Sequence, residues 1–279
     1  MARLVGFIGN RPDLGARVIE LEGRALDVRR RSGVTPGWGV GFYQGGEILL
    51  KRRPLDDRAE IKITDITRDI RADVAIAQVR LATVGPLRTE NTHPFRYRSW
   101  LFANTGTVEA FATLRGRLAE SLPQFLQRDV RGETDSELVF HLFLSFLHDA
   151  GQLDRPQVDA PTAAGALRST IALVDRLCAE EGAAGTALNV LVSSPEYVLA
   201  LSNGPAMGYH VFQGQRDLER LFGDGGLGRM RIPDYAASRL TLIASDFEDD
   251  RIPEGWTAVR ERAIVTFTRA NEPIIENVS

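Results

Sequence analysis

The sequence predicts an α+β fold in which two antiparallel sheets are enclosed by layers of helix. Three observations carry that prediction. Strand-length apolar runs come in pairs towards the two ends of the chain, as in residues 38–44 with 47–51 and 187–192 with 197–201. Turn residues join each pair, Gly45-Gly46 in the first and Ser193-Ser194-Pro195-Glu196 in the second, which is the pattern of antiparallel hairpins. Helical periodicity is grouped between them, from Glu109 to Cys178. Strands and helices segregated in this way argue for α+β rather than for an alternating parallel sheet.

Each element has its own signal. Ala2 to Ile8 is short, apolar and β-prone, and it ends at Gly9-Asn10. If this strand is central, its first residue opens at a sheet end, and alanine at position 2 favours removal of Met1. The freed amine could then serve as a base for a neighbouring side chain. The alternative is an edge strand with a frayed terminus. Leu14, Val18, Leu21, Ala25 and Val28 recur at helical spacing and predict a helix within residues 12–30. After a loop over 32–37, glycines at 37, 39 and 41 alternate along a strand and allow another backbone or a ligand to come close. Residues 74–79 and 100–103 read as strands joined by a turn-rich connection, with Gly85-Pro86 and His93-Pro94 as punctuation.

Phe111, Leu114, Leu118 and Leu122 form one helical face between Glu109 and Leu126, and Pro123 breaks or kinks it. Thr134-Asp135-Ser136-Glu137 is a capping box, with Thr134 as cap and Glu137 reaching back. Asp135 then takes the first helical position, where the helix dipole favours a carboxylate. The following helix, 138–148, is apolar nearly all round and is expected to be buried. Residues 151–161 are linker-like but too short to argue for a domain boundary. Leu167, Ile171, Val174 and Cys178 mark a further helix, with Cys178 in the core. More strands are expected at 209–212, 240–244, 257–259, 264–267 and 273–278, and residues 216–237 read as irregular.

Composition narrows the function classes. The chain has 279 residues, 43% hydrophobic and 25% charged, an ordinary globular profile long enough for one large core or two smaller ones. Net charge is −3 with both signs interspersed, and Arg29-Arg30-Arg31 and Lys51-Arg52-Arg53 are short enough to be solvated faces. The expectation is no nucleic acid and no membrane partner. A single cysteine excludes an internal disulfide, and the four histidines lack metal-ligand spacing, so neither metal nor cofactor is expected. No apolar run reaches the roughly 18 residues of a spanning helix, and the first residues lack a signal peptide's regions. The reading is cytoplasmic.

The chemistry concentrates between Val79 and Gly106. Arg80, Thr83, His93, Asn104 and Thr105 are placed just past the ends of two strands. A guanidinium, hydroxyls and an amide there suit a small polar anion. A surface hairpin ending in an ordinary arginine is the plainer alternative.

Spacing adds a family. Arg80-x-Ala82-Thr83-x-Gly85, then Asn91-x-His93-Pro94-Phe95, then an apolar strand ending at Gly106 resembles the glutaminase domain of class II glutamine amidotransferases, within the N-terminal nucleophile hydrolases. Residues 1–8 and 37–43 look like that family's first two strands, and Gly132 to Glu137 like its acidic ligand-binding turn. Ser193-Ser194 and Ala244-Ser245-Asp246 fit its small stand-alone bacterial members. The resemblance implies a four-layer αββα sandwich and one domain over residues 1–279. It implies that Arg80 pairs with the carboxylate of glutamine or a related amino acid. Thr83 and His93 would line the pocket, and Asp135 would hold the ammonium.

The departures fall on the catalytic positions. The family's nucleophile is a cysteine directly after the initiator Met, and here Ala2 stands there. The family's strand ends in His-Asn-Gly, whose Asn helps to hold the oxyanion. Here it ends in Asn104-Thr105-Gly106, so Thr105 takes the Asn position and only the Gly106 backbone amide is kept. Asn104 carries an amide one position early, on the opposite strand face. The expectation is a degenerate, catalytically inactive protein that binds an amino acid or regulates. An active glutaminase with an unrecognised nucleophile and a structural scaffold are the alternatives. A protein partner or homodimer is left open.

Overall fold

The computed structural model describes residues 2–29, 35–222 and 237–278. Met1, and with it the expectation of its removal, lies outside the described residues, as do Arg30-Arg31 and 223–236. In chain order the first half comprises β1 (Arg3–Gly9), α1 (Gly15–Leu26), β2 (Val28–Arg29), β3 (Gly37–Gln44), β4 (Glu47–Arg53), β5 (Glu60–Ile61), α2 (Ile63–Thr67), β6 (Val74–Arg80), β7 (Phe95–Tyr97) and β8 (Trp100–Thr107). The helical middle is α3 (Phe111–Glu120), α4 (Gln124–Gln127), α5 (Asp135–Asp149) and α6 (Ala160–Glu180). The remainder is β9 (Ala187–Ser193), β10 (Tyr197–Ser202), β11 (Met207–Gln213), α7 (Gly214–Phe222), β12 (Arg239–Ser245), β13 (Thr257–Ala258), β14 (Ala263–Thr268) and β15 (Ile274–Asn277).

The strands form two antiparallel sheets and a small β2-β5 pair. One sheet has seven strands in the order β13-β11-β12-β1-β6-β3-β4, and the other has six in the order β15-β14-β10-β9-β8-β7. Alternation along each strand divides the core into three. Leu4, Ile8, Ile76, Leu101, Leu191 and Ile243 fill the space between the sheets. Val5, Phe7, Val18, Ile61, Ile63, Leu218 and Leu242 join the outer face of the larger sheet to α1, α2 and α7. Phe102, Phe140, Phe143, Leu167, Val190 and Leu199 join the smaller sheet to α3, α5 and α6. The result is the four-layer αββα sandwich. Polar ties cross between the sheets as well: the Tyr43 hydroxyl donates to Ser193 O at 2.7 Å, and Gln78 Nε2 donates to Asn104 O at 2.6 Å.

Several elements differ from the sequence reading in instructive ways. β1 is a central strand, paired to β12 on one side and β6 on the other, which removes the edge-strand alternative. The stripe that spacing suggests is buried at Leu14, Val18 and Val28 but not throughout. Leu21 is 42% exposed and Val28 belongs to β2, while Val18, Ile19 and Leu26 carry the buried face. β8 runs on to Thr107, so Asn104 and Thr105 lie inside a strand rather than past its end. The helix from Phe111 stops at Glu120 and resumes at Gln124, because Pro123 interrupts it. Part of the stretch read as irregular is helical, since α7 covers Gly214–Phe222. The apolar α5 is buried over nearly its whole length, and Cys178 is a fully buried core thiol.

The turn residues also find their reasons. Gly39 leaves no room for a side chain, since a Cβ there would fall 2.0 Å from the His93 carbonyl oxygen. The close approach that the alternating glycines allow is therefore backbone on backbone, and it sets the His93 segment against β3. Among the described residues no helix is long and apolar enough to cross a membrane.

Candidate functional site

Antiparallel pairing brings four chain segments to one end of the sandwich. β1 begins there, β6 ends there at Arg80, and β12 ends there at Ser245. From the other sheet β8 contributes Asn104 to Thr107, and the start of α5 closes the side. The cavity they enclose has a volume of about 220 Å³. Ala2, Arg80, Thr83, His93, Thr105, Gly106 and Asp135, the residues singled out from sequence, all line it. Gln78, Asn104, Thr107 and Ser136 line it as well.

Arg80 is buried at the last position of β6, and its guanidinium is already engaged. Nη2 donates to Val84 O at 2.5 Å and, more loosely, to Gly85 O at 3.4 Å, while Nη1 reaches Pro86 O at 3.4 Å. These carbonyls satisfy hydrogen bonds but do not neutralise the charge. Burial lowers the Arg80 pKa, and the Asp135 carboxylate opposes that shift. The side chain therefore shapes the 84–86 loop and gives the cavity a cation. Thr83 Oγ1 and Thr107 Oγ1 share a hydrogen bond at 2.9 Å on the exposed side.

Asp135 sits at the first position of α5, as the capping pattern predicts. Thr134 is the N-cap, its hydroxyl accepting from Glu137 N at 3.3 Å. Glu137 reaches further back than a capping box requires: its carboxylate accepts from Arg131 N at 2.9 Å and Gly132 N at 2.6 Å. Asp135 Oδ2 accepts from Val108 N at 2.8 Å, which ties the helix start to the end of β8, and Oδ1 accepts from Ser136 N at 2.8 Å. Burial nevertheless raises the Asp135 pKa, and these donors only partly offset it. A cationic group arriving in the cavity would compensate that desolvation.

His93 and Asn104 form a buried pair, with His93 Nε2 and Asn104 Oδ1 3.0 Å apart. An amide oxygen can only accept, so Nε2 carries the hydrogen and Nδ1 is a bare acceptor. Burial brings the His93 pKa down to about 3, with Arg80 and Arg52 pushing the same way and the Asn104 bond opposing. The imidazole is neutral at ordinary pH. His93 Nδ1 and Asn104 Nδ2 are both buried without a partner among the described residues. With Gln78 Oε1, which is unpartnered as well, two acceptors and one donor are thus unspent on residues that line the cavity.

Thr105 turns the other way along β8. Its hydroxyl donates to Asp246 Oδ2 at 2.7 Å and lies 3.4 Å from the Ser245 hydroxyl, which itself donates to Asp246. Burial raises the Asp246 pKa, and the two hydroxyls oppose the rise. Asn104 and Thr105 do take opposite faces, as strand alternation predicts, yet both reach the cavity because it wraps around the end of β8. Gly106 makes that close packing possible: its φ is +100°, and a Cβ would fall 1.9 Å from Ala187 O.

Sequence reasoning passed over Gln78 and the Asp246 carboxylate as partners of this strand. A signal for the second was present, because a Ser-Asp pair ending an apolar run puts a hydroxyl and a carboxylate at a sheet end. Among the described residues no group of His, Cys, Asp and Glu is placed to hold a metal ion.

Comparison with known proteins points one way. The family model for class-II glutamine amidotransferases matches residues 1–212. A probable glutamine amidotransferase of Saccharomyces cerevisiae is 30% identical over 129 residues, which are 44% of this chain and 36% of that protein. A gamma-glutamyl-hercynylcysteine sulfoxide hydrolase of Mycobacterium tuberculosis is 31% identical over 134 residues, 44% of this chain and 56% of that protein. A putative glutamine amidotransferase of Haemophilus influenzae is 32% identical over 160 residues, 53% of this chain and 48% of that protein. The chain spans about half the length of these curated relatives, or less. Among solved structures, a predicted glutamine amidotransferase from Pseudomonas aeruginosa superposes with a TM-score of 0.60 at 21% identity, over 96% of this chain and 98% of that one. A glutamine aminotransferase class-II domain protein from Silicibacter pomeroyi gives 0.60 at 18% identity, over 99% and 98%. At such identities these two show the fold. With a family model matched over residues 1–212 of 279, the chain belongs to the class II glutamine amidotransferases.

Proposed function

We propose that this protein is a catalytically silent member of its family, which binds glutamine or a closely related amino acid in the cavity at the end of the sandwich and does not cleave it. The observation that carries the reading is the pairing of Ala2 with Thr105. Residue 2 lines the cavity with a methyl group, where the family resemblance places a nucleophilic thiol. Thr105 replaces the oxyanion-holding amide, and its hydroxyl hydrogen is directed to Asp246 rather than into the cavity. Neither the attacking atom nor one of the two oxyanion donors is available.

The grip on an amino acid is supplied by other groups. In this reading Arg80 takes the ligand carboxylate and Asp135 the α-ammonium, each giving a charge-assisted bond in a dry setting. Asn104 Nδ2 and His93 Nδ1 would meet the carboxamide, a group with both an acceptor and a donor. Residues 1–279 act as one domain here, since the cavity draws on both sheets. Its biological output is a binding or regulatory event, with a protein partner or a second copy as reader.

A second reading rests on the Thr105–Asp246 bond itself. A hydroxyl donating to a buried carboxylate of raised pKa is also the geometry of a hydroxyl nucleophile beside its base. In that case Thr105 Oγ1 attacks the carboxamide, Asp246 accepts its proton and returns it to the departing ammonia, and water hydrolyses the ester. A calorimetric titration with glutamine, run beside an ammonia-release assay, separates the readings. Heat without ammonia supports the silent binder. Ammonia that disappears in Thr105→Val supports the second reading. Neither heat nor ammonia leaves the fold as a scaffold and overturns both.

A further inference from the structure

A larger cavity, of about 610 Å³, opens on the outer face of the seven-stranded sheet. It shares no lining residue with the cavity at Ala2. Arg3 of β1 forms its floor, Asp27 and Lys62 one side, and Phe247, Glu248 and Arg251 the other. The chain puts Arg3 there because side chains alternate along β1: Leu4 packs between the sheets, and Arg3 faces out from them.

Arg3 is 3% exposed, yet it forms no ion pair among the described residues. Nη1 donates to Ser245 O at 3.3 Å, a long bond to a neutral acceptor. Nε is buried with no hydrogen-bond partner among the described residues. The Phe247 ring centroid lies 5.3 Å from Cζ, which gives a modest cation–π contact. Burial brings the pKa down to about 10, against the more distant charges of Asp246, Glu248 and Asp27. A buried guanidinium with unused donors in the wall of an open cavity is costly unless an anion completes it.

We propose that this cavity is a second ligand site, which takes a small oxyanion group, carboxylate or phosphate, on the Arg3 guanidinium. Lys62 and Arg251, exposed at the rim, add attraction at a distance. Asp27 and Glu248 in the same walls disfavour ligands of high negative charge. The occupant is therefore a monoanion or a zwitterion whose cationic group meets those carboxylates. The site stands apart from amino-acid binding at Arg80, and either can fail without the other.

The test is a titration followed by NMR at the arginine Nε–Hε signals, with inorganic phosphate in one arm, acetate in a second and chloride at matched ionic strength as control. The Arg3 signal, assigned by its loss in Arg3→Gln, is expected to shift and saturate with phosphate or acetate and not with chloride. The arm that saturates at lower concentration identifies the class of anion. Read at the backbone amide signals around the cavity, which both proteins keep, Arg3→Gln is expected to weaken binding by roughly tenfold or more, as loss of a charged hydrogen bond does. Arg251→Gln, at an exposed position, is expected to weaken it by roughly two- to fivefold without disturbing the fold. An Arg3 signal that follows chloride as closely as phosphate and acetate overturns the site. So does an affinity unchanged in Arg3→Gln. If Arg3→Gln does not fold, the wild-type titration and Arg251→Gln decide: no saturable shift, or no weakening in Arg251→Gln, overturns the proposal.

Discussion

The Thr105 hydroxyl donates to the Asp246 carboxylate at 2.7 Å, and this bond turns the side chain away from its neighbour's surroundings. One position earlier, Asn104 pairs with His93 and keeps its Nδ2 hydrogens unbonded. An amide and a hydroxyl at adjacent positions of one strand serve opposite sides of the cavity. Of these two side chains, Asn104 keeps the uncommitted donor, its Nδ2. Asp246 meanwhile holds two hydroxyls, those of Thr105 and Ser245, and buries a carboxylate behind them. The first three predictions concern what this arrangement prevents and what it retains.

The purified protein is expected to release no ammonia from glutamine above background. A methyl group at residue 2 forms no thioester, and removal of a nucleophile elsewhere costs on the order of 10⁶-fold in kcat. Discontinuous ammonia detection on repurified protein is the check. Release that tracks the protein through purification and vanishes in Arg80→Gln contradicts the silent reading.

Glutamine binding is expected to be lost in Arg80→Gln and in Asp135→Asn. Each change removes one half of a charged contact and leaves the ligand charge unmatched, a loss of about 2–5 kcal/mol. Both residues also support structure, Arg80 through the Val84 to Pro86 carbonyls and Asp135 through Val108 N. Thermal unfolding of each variant without ligand is therefore measured beside the titration. A variant that keeps its melting temperature and its affinity refutes the assigned role.

His93 gives a pH signature. Its folded pKa of about 3 lies below the ordinary value of 6.5, so the unfolded chain binds the proton more readily. The contribution is fully present above pH about 6.5 and is lost as pH falls towards 3, by up to about 1.4 kcal/mol per pH unit. Asp135 and Asp246 act in the opposite sense. Their raised folded pKa values favour the fold at low pH, and that favour is lost as pH rises through them. Comparison with His93→Gln isolates the histidine. The advantage of the parent protein over this variant is expected to shrink as pH falls below about 6.5, in chemical denaturation at several pH values. A difference independent of pH shows that His93 titrates normally.

The architecture was legible in the sequence because its signals are local. The Gly45-Gly46 turn fixed the β3-β4 hairpin, Pro123 the break between α3 and α4, and Thr134 the start of α5. α1 was less legible. Its Leu21 keeps helical spacing yet faces solvent, because which stripe is buried depends on a sheet assembled from distant strands. The candidate site was readable where residue type and position coincide, as at Arg80, His93 and Asp135. The Asp246 partnership of Thr105 was not, since it joins residues 141 apart in sequence across the two packed sheets, from β8 of one to the end of β12 in the other. Arg3 was missed for the same reason. Nothing local says that a strand-opening arginine will be buried without a carboxylate.

Restoring the missing atoms is the most demanding prediction. Ala2→Cys supplies a thiol in the cavity, and Thr105→Asn returns an amide to the position the resemblance assigns to the oxyanion. Ala2→Cys alone is expected to give little activity, because loss of one oxyanion donor costs roughly 2.7–4 kcal/mol. Thr105→Asn alone is expected to give none. The double variant is expected to exceed the product of the single effects, since nucleophile and donor act on one intermediate. The structure adds a condition. Thr105→Asn removes a hydrogen bond to Asp246, which then keeps the Ser245 hydroxyl, so a modest loss of stability should accompany any gain in activity. Asn104→His is the third change to add if the double variant is weak, because Asn104 already occupies that side of the cavity through His93. Mass spectrometry after exposure to a glutamine-analogue electrophile reads the outcome, with N-terminal mass reporting whether Met1 has been removed. If Ala2→Cys, the double variant and the triple variant all fold, lose Met1 and bind glutamine, yet none forms the adduct, then the cavity has diverged beyond these positions and Ala2 does not stand at the family's nucleophile.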